Sequence, residues 1–133
     1  MLSLSLLPEQ FSICRLDPED EIPAWALGHA FFAVIRTPEE LSVVCPSAAV
    51  PSHVRAATGW RCLKVKGPLD FNQVGVLLSL AAPLAQAGVS IFALSTYDTD
   101  YILVREEDLS KAITALRAAG HQIDKNDATH LHR

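Results

Sequence analysis

The residues of this 133-residue chain with chemistry to offer are five histidines, three cysteines and fifteen carboxylates. His130 and His132, one residue apart, are a weak metal pair, but no third ligand stands at zinc-like spacing and chain ends fray. His29, His53 and His121 are isolated from one another and read as surface or boundary residues. Cys14, Cys45 and Cys62 lie in the apolar runs SICRL, SVVCP and RCLKV. They read as small buried hydrophobes in a reducing cytoplasm, since their odd number and wide spacing make no disulfide framework. Glu106, Glu107 and Asp108 open a helical pattern, where the helix dipole accounts for their charge. No nucleophile elbow, phosphate-binding loop or dinucleotide fingerprint is present, and no nucleophile, base and orienting group can be recognised together. The expectation is a chain with no catalytic residue, no metal and no cofactor. Only the corner Asp98-Thr99-Asp100 offers charge toward a ligand. Asp100 reads as a hydrogen-bonding turn residue; Asp98 reads equally as a turn residue or as a partner for an ammonium or guanidinium.

These groups must be held by elements that the hydrophobic period reveals. RCLKVK (61–66) alternates like a strand and stops at Gly67-Pro68. Asp70 and Gln73 approximate a capping box, and Phe71, Val74, Leu77, Leu78, Ala81, Leu84 and Ala85 recur at helical spacing. This predicts a helix from Asp70 that ends at Gly88, with a kink or weakening at Pro83. Gly75 then falls one turn inside it, where glycine costs on the order of 1 kcal/mol against alanine. Either a ligand or tight packing against the sheet would explain it. VSIFALST and YILVR form a hairpin; Leu109, Ala112, Ile113 and Leu116 mark a second helix that Gly120 closes before a brief strand at 121–123. The order is β-α-β-β-α-β.

The first half repeats this order in degraded form: FSICRL as a strand, IPAWAL as a single helical turn, FFAVIRT and LSVVCP as a hairpin, and a short helix near Ser52–Ala57. MLSLSLLPEQ, without a basic residue before its apolar run or a cleavage pattern after it, reads as a strand and not as a signal peptide. Trp25 and Trp60 read as core against the sheet. The prediction is an α+β fold of two tandem ferredoxin-like (βαββαβ) units, 1–60 and 61–133, with an antiparallel sheet and helices on one face.

The segment from Lys66 to Arg105, KGPLDFNQVGVLLSLAAPLAQAGVSIFALSTYDTDYILVR, resembles the regulatory ACT domain of aspartate kinases. Its Gly-Val-Leu helix, Ala-Gly-Val-Ser-Ile step and STYDTDYILV ending carry the likeness. It is also similar to small prokaryotic tandem-ACT proteins and to CASTOR-type arginine sensors. The resemblance implies a free amino acid bound at a junction between domains or subunits. The residues it points to are Asp70, Phe71, Asn72, Gln73, Val74 and Gly75 at the helix start, Val89, Ser90 and Ile91 on the following strand, and Ser95, Thr96 and Asp98 at that strand's end. Independently, a helix N-terminus there would offer unsatisfied N–H groups to a carboxylate. The first half has no Gly-Val-Leu helix, so a second equivalent pocket is not expected in it.

A net charge of −4 with scattered basic residues argues against nucleic acid, and no apolar run reaches the roughly 20 residues of a membrane span. The leading functional reading is a cytoplasmic, non-enzymatic module that binds an amino acid, forms a homodimer and passes the signal to a regulated protein partner. The alternative is a ligand-free interaction or scaffold module.

Overall fold

A computed structural model describes residues 1–69 and 74–124. Its strands are β1 (Ser3–Leu16), β2 (Ala33–Arg36), β3 (Leu41–Pro46), β4 (Ala56–Val65), β5 (Ile91–Ser95), β6 (Asp100–Arg105) and β7 (Gln122–Asp124). Its α-helices are α1 (Val76–Gln86) and α2 (Leu109–Ala118). The chain divides into two compact units: Glu9–Trp60, and Met1–Pro8 together with everything from Arg61 onward. The first eight residues therefore pack with the C-terminal unit. Pro8, which has no N–H to give a ladder, ends this segment within β1.

In the C-terminal unit, β1, β4, β6 and β5 are neighbours in that order, and β7 pairs in parallel with β1, Ser3 opposite Gln122 and Ser5 opposite Asp124. The first strand of the chain thus stands between β4 and β7. Strands β5 and β6 form the expected antiparallel hairpin, Ile91 opposite Val104 through Ser95 opposite Asp100. Alternation sends Leu4, Leu6, Leu63, Val65, Ile102, Val104 and Ile123 to one face, where they form a core with Leu80 and Leu84 of α1 and Ala112, Ile113 and Leu116 of α2. Both helices lie on that face, giving the α+β architecture of an antiparallel sheet with two helices.

Three details differ from the sequence reading. Helix α1 begins at Val76, not Asp70, and its N-cap is Gly75, with φ 82° and no side-chain cap. Ser79 N–H donates to Gly75 O (2.9 Å), so the N–H groups of Val76, Leu77 and Leu78 have no intrahelical acceptor. Gly75 therefore precedes the helix. A Cβ there would meet nothing within 4 Å, so its glycine answers a left-handed backbone and not a close approach. Finally, His121 is buried, at 6% exposure, although it was read as a surface or boundary residue.

The reason for that burial lies in Pro83. Lacking an N–H, Pro83 cannot bond the carbonyl of Ser79 four residues earlier. His121 Nε2–H donates to that carbonyl instead (3.0 Å), and His121 Nδ1 accepts from Leu2 N–H (3.1 Å). One imidazole thereby ties α1, the end of α2 and the first strand together.

In the Glu9–Trp60 unit, β3 lies between β2 and β1 in antiparallel pairing. Single 3-10 turns at Ala24–Ala26 and Ser47–Ala49 stand where helices would be. The short helix expected at Ser52–Ala57 is absent; Val54 N–H closes a turn on Pro51 O (3.1 Å), and Ala56 already opens β4. Cys14, Val43, Cys45 and Ala26 form a small core against which Trp25 packs, while Trp60 is 6% exposed. All three cysteines are free thiols and buried.

Candidate functional site

The chain leaves β4 at Val65 and is pinned at once to the β5–β6 turn. Thr99 Oγ1 donates to Val65 O (2.6 Å), and Leu69 N–H donates to Asp98 O (2.6 Å). Gly67 suits this contact: a Cβ on it would lie 3.0 Å from Asp98 O and 3.2 Å from the Thr99 Cβ, tight enough that the turn would have to give by a few tenths of an ångström. The turn is self-bonded. Thr96 N–H and Oγ1 donate to Thr99 O, at 2.8 and 3.1 Å, and Thr99 N–H donates to Thr96 Oγ1 at 3.2 Å. Ser95 Oγ donates to Asp100 Oδ1 (2.5 Å), so Asp100 is engaged within the hairpin.

Beside this joint is a cavity of about 400 Å³ lined by Lys64, Gly67, Pro68, Thr96, Asp98, Thr99 and Tyr101. The Asp98 side chain is exposed there, as is Lys64 on β4. Burial, and secondarily the Cys62 thiol, push the Tyr101 phenol above its ordinary value, which keeps it protonated. The cavity thus offers a cation, an anion, a hydroxyl and a phenol to a small dipolar molecule.

The expected site residues fall into three groups. Ser95, Thr96 and Asp98 stand at the β5–β6 turn, and Thr96 and Asp98 line the cavity. Val74, 93% exposed, and Gly75 form the approach to α1. Val89, Ser90 and Ile91 stand beyond the other end of α1, whose 11 residues span about 16 Å, so Gly75 and Val89 lie at opposite ends of one helix. Val89 is buried in the core, its N–H closing the helix on Leu84 O (2.9 Å). Within one chain these three do not join the turn. Asp70, Phe71, Asn72 and Gln73 lie outside the described residues.

Lys64, Gly67, Thr99 and Tyr101 were not singled out from the sequence. Lys64 was legible in principle, as a polar position in the alternation of RCLKVK; the others depend on which turn meets which strand. Among the described residues no group of histidines, cysteines and carboxylates could hold a metal ion, and no helix is long and apolar enough to cross a membrane.

Comparison with known proteins bears on the family and the fold. The ACT domain model matches residues 55–118, and a separate model of an N-terminal domain matches residues 9–53. The cytosolic arginine sensor for mTORC1 subunit 1 of Bos taurus is 40% identical over 98 residues, 65% of this chain and 30% of that protein. The human counterpart is 36% identical over 59 residues, 18% of its length, so the chain spans less than a third of these relatives. A solved protein of Agobacterium tumefaciens is 41% identical with a TM-score of 0.89, covering 93% of this chain and 92% of that one. The regulatory subunit of aspartate kinase from Thermus thermophilus, at 12% identity and TM-score 0.62 over 88% of this chain and 97% of that one, shares the fold. Residues 55–118, the segment from β4 to α2, thus form an ACT domain, in a chain that shares sequence with cytosolic arginine sensors and its fold with aspartate-kinase regulatory chains.

Proposed function

We propose that the chain is a non-catalytic regulatory module that binds a free amino acid at the β4–α1 loop and the β5–β6 turn. The observation that carries this reading is the joint between them: the Leu69–Asp98 and Thr99–Val65 hydrogen bonds hold Asp98 and Lys64 on one cavity. Asp98 receives the ligand's ammonium or guanidinium, Lys64 its carboxylate, and Thr96 and Tyr101 supply hydroxyls. Ser95, next to Thr96, and the positions from Asp70 to Gly75 that the ACT resemblance points to are further candidates for the same ligand. Val89, Ser90 and Ile91 would take part only from a second copy, as in a homodimer. The relatives named cytosolic arginine sensors make arginine the first ligand to try and the cytoplasm the expected location. A regulated protein partner would read the bound state.

A second reading has an observation of its own. Val74, Leu77 and Leu78 are 93%, 40% and 67% exposed, an apolar stretch at the start of α1 that suits a protein-interaction module without ligand. A thermal-shift screen of the twenty amino acids separates the two, because a ligand that binds only the folded state raises the melting temperature. A rise with one chemical class, lost in Asp98→Ala, is the expected result. A flat screen overturns amino-acid sensing and leaves the interaction module.

A further inference from the structure

On the sheet face opposite the helices there is a second concavity, about 450 Å³ in volume, lined by Ser3 and Ser5 of β1, Lys64 and Lys66 at the end of β4, and Gln122 and Asp124 of β7. Strand geometry explains its shape. In each strand the residues are two apart and so share a face, about 7 Å from one another. Ser3 pairs with Gln122 and Ser5 with Asp124, while Lys66 N–H donates to Ser3 O (2.8 Å). The six side chains thus form two rows across three strands. The short serines make the floor, and the longer lysines and the Gln122–Asp124 pair make two walls separated by two strand spacings, about 10 Å.

The trough is electrically polar across its width. Lys64 and Lys66 are exposed, and among the described residues neither ammonium is in an ion pair. Two such like charges side by side repel, and anionic oxygens between them relieve that repulsion. The Asp124 carboxylate stands on the opposite wall and favours a cation there. We infer that this trough is a binding site for an acidic amino acid, its two carboxylates on Lys64 and Lys66 and its ammonium toward Asp124 over the serine floor. The trough adjoins the Asp98 cavity, with Lys64 and Gly67 lining both, and differs from it in Lys66, the serines and Asp124. A basic ligand would face the lysine pair and be repelled; a plain dicarboxylate would satisfy the lysines but leave Asp124 facing an anion.

The test is titration of the whole chain with L-glutamate, L-aspartate, glutarate and L-glutamine at constant ionic strength, following backbone amide shifts by NMR. Saturable shifts at Ser3 and Ser5, with glutamate or aspartate tighter than glutarate and glutamine, are expected. Lys66→Gln should weaken the acidic ligand about tenfold, the size of one charge-assisted hydrogen bond. Ser5→Leu should abolish binding by filling the floor, and Asp124→Asn should erase the preference for glutamate over glutarate. Asp98→Ala should leave this binding intact, so its result bears on the other cavity alone. Absence of saturable shifts at Ser3 and Ser5, or binding indifferent to both Lys66→Gln and Ser5→Leu, overturns the assignment.

Discussion

Two residues show how much one side chain decides here. His121 satisfies both Leu2 N–H and the Ser79 carbonyl that Pro83 leaves without a donor. Replacing it by phenylalanine keeps the apolar volume but removes both hydrogen bonds from part-buried backbone groups, a loss of about 0.5–1.5 kcal/mol per bond. Urea unfolding should therefore show a lower midpoint for His121→Phe at unchanged slope. In a Pro83→Ala background the helix can bond Ser79 O itself, so the same substitution should cost less; equal costs in both backgrounds would sink the link between the two residues. Gly75 makes a different argument. Its φ of 82° is unfavourable for any residue with a Cβ, yet nothing would touch that Cβ. Gly75→Ala should lower stability by about 1–2 kcal/mol from backbone strain alone, a loss readable in the same unfolding experiment.

At the scale of elements, the β1–β3 pairing carries a titratable device. Cys45 lies opposite Ser12, and Cys14 opposite Val43, on the same ladder. Burial first, and then the neighbouring Cys45 thiol, push the Cys14 thiol up from 9.0 to about 11. The unfolded chain therefore loses this proton near pH 9 while the folded chain keeps it. Its contribution to stability is complete below pH 9 and falls as pH rises from 9 to about 11. Melting temperatures measured across that window should decline less steeply in Cys14→Val than in the parent chain. Parallel slopes would show that Cys14 does not govern the alkaline loss.

The molecule as a whole depends on its first eight residues more than their place in the chain suggests. Leu4 and Leu6, 1% and 4% exposed, sit in the core of the C-terminal unit, and β7 pairs with β1 there. Burying each leucine stabilises that core by roughly 1.5–3 kcal/mol. A chain lacking Met1–Pro8 should lose cooperative thermal unfolding by circular dichroism, even though the ACT model begins only at residue 55. A sharp, unshifted transition would show that β4 to β7 fold without β1.

The sequence by itself determined what depends on local period and composition. The alternation of RCLKVK, the 3.6-residue rhythm of Leu109, Ala112, Ile113 and Leu116, and the hairpin around Tyr97–Asp100 each appear at their expected places, because one buried face leaves a regular apolar trace. The motif from Lys66 to Arg105 was enough to bring out the ACT family. Only the tertiary structure decided the rest. The insertion of β1 between β4 and β7 joins residues more than a hundred positions apart, and no local pattern encodes that partner choice. The start of α1 was misplaced because Phe71 and Val74 continue the apolar rhythm in the sequence, whereas the left-handed Gly75 caps the helix and leaves Val74 outside it. The two cavities were equally invisible: Lys64, Lys66, Ser3 and Ser5 read as ordinary polar positions until strand pairing places long side chains on either side of short ones.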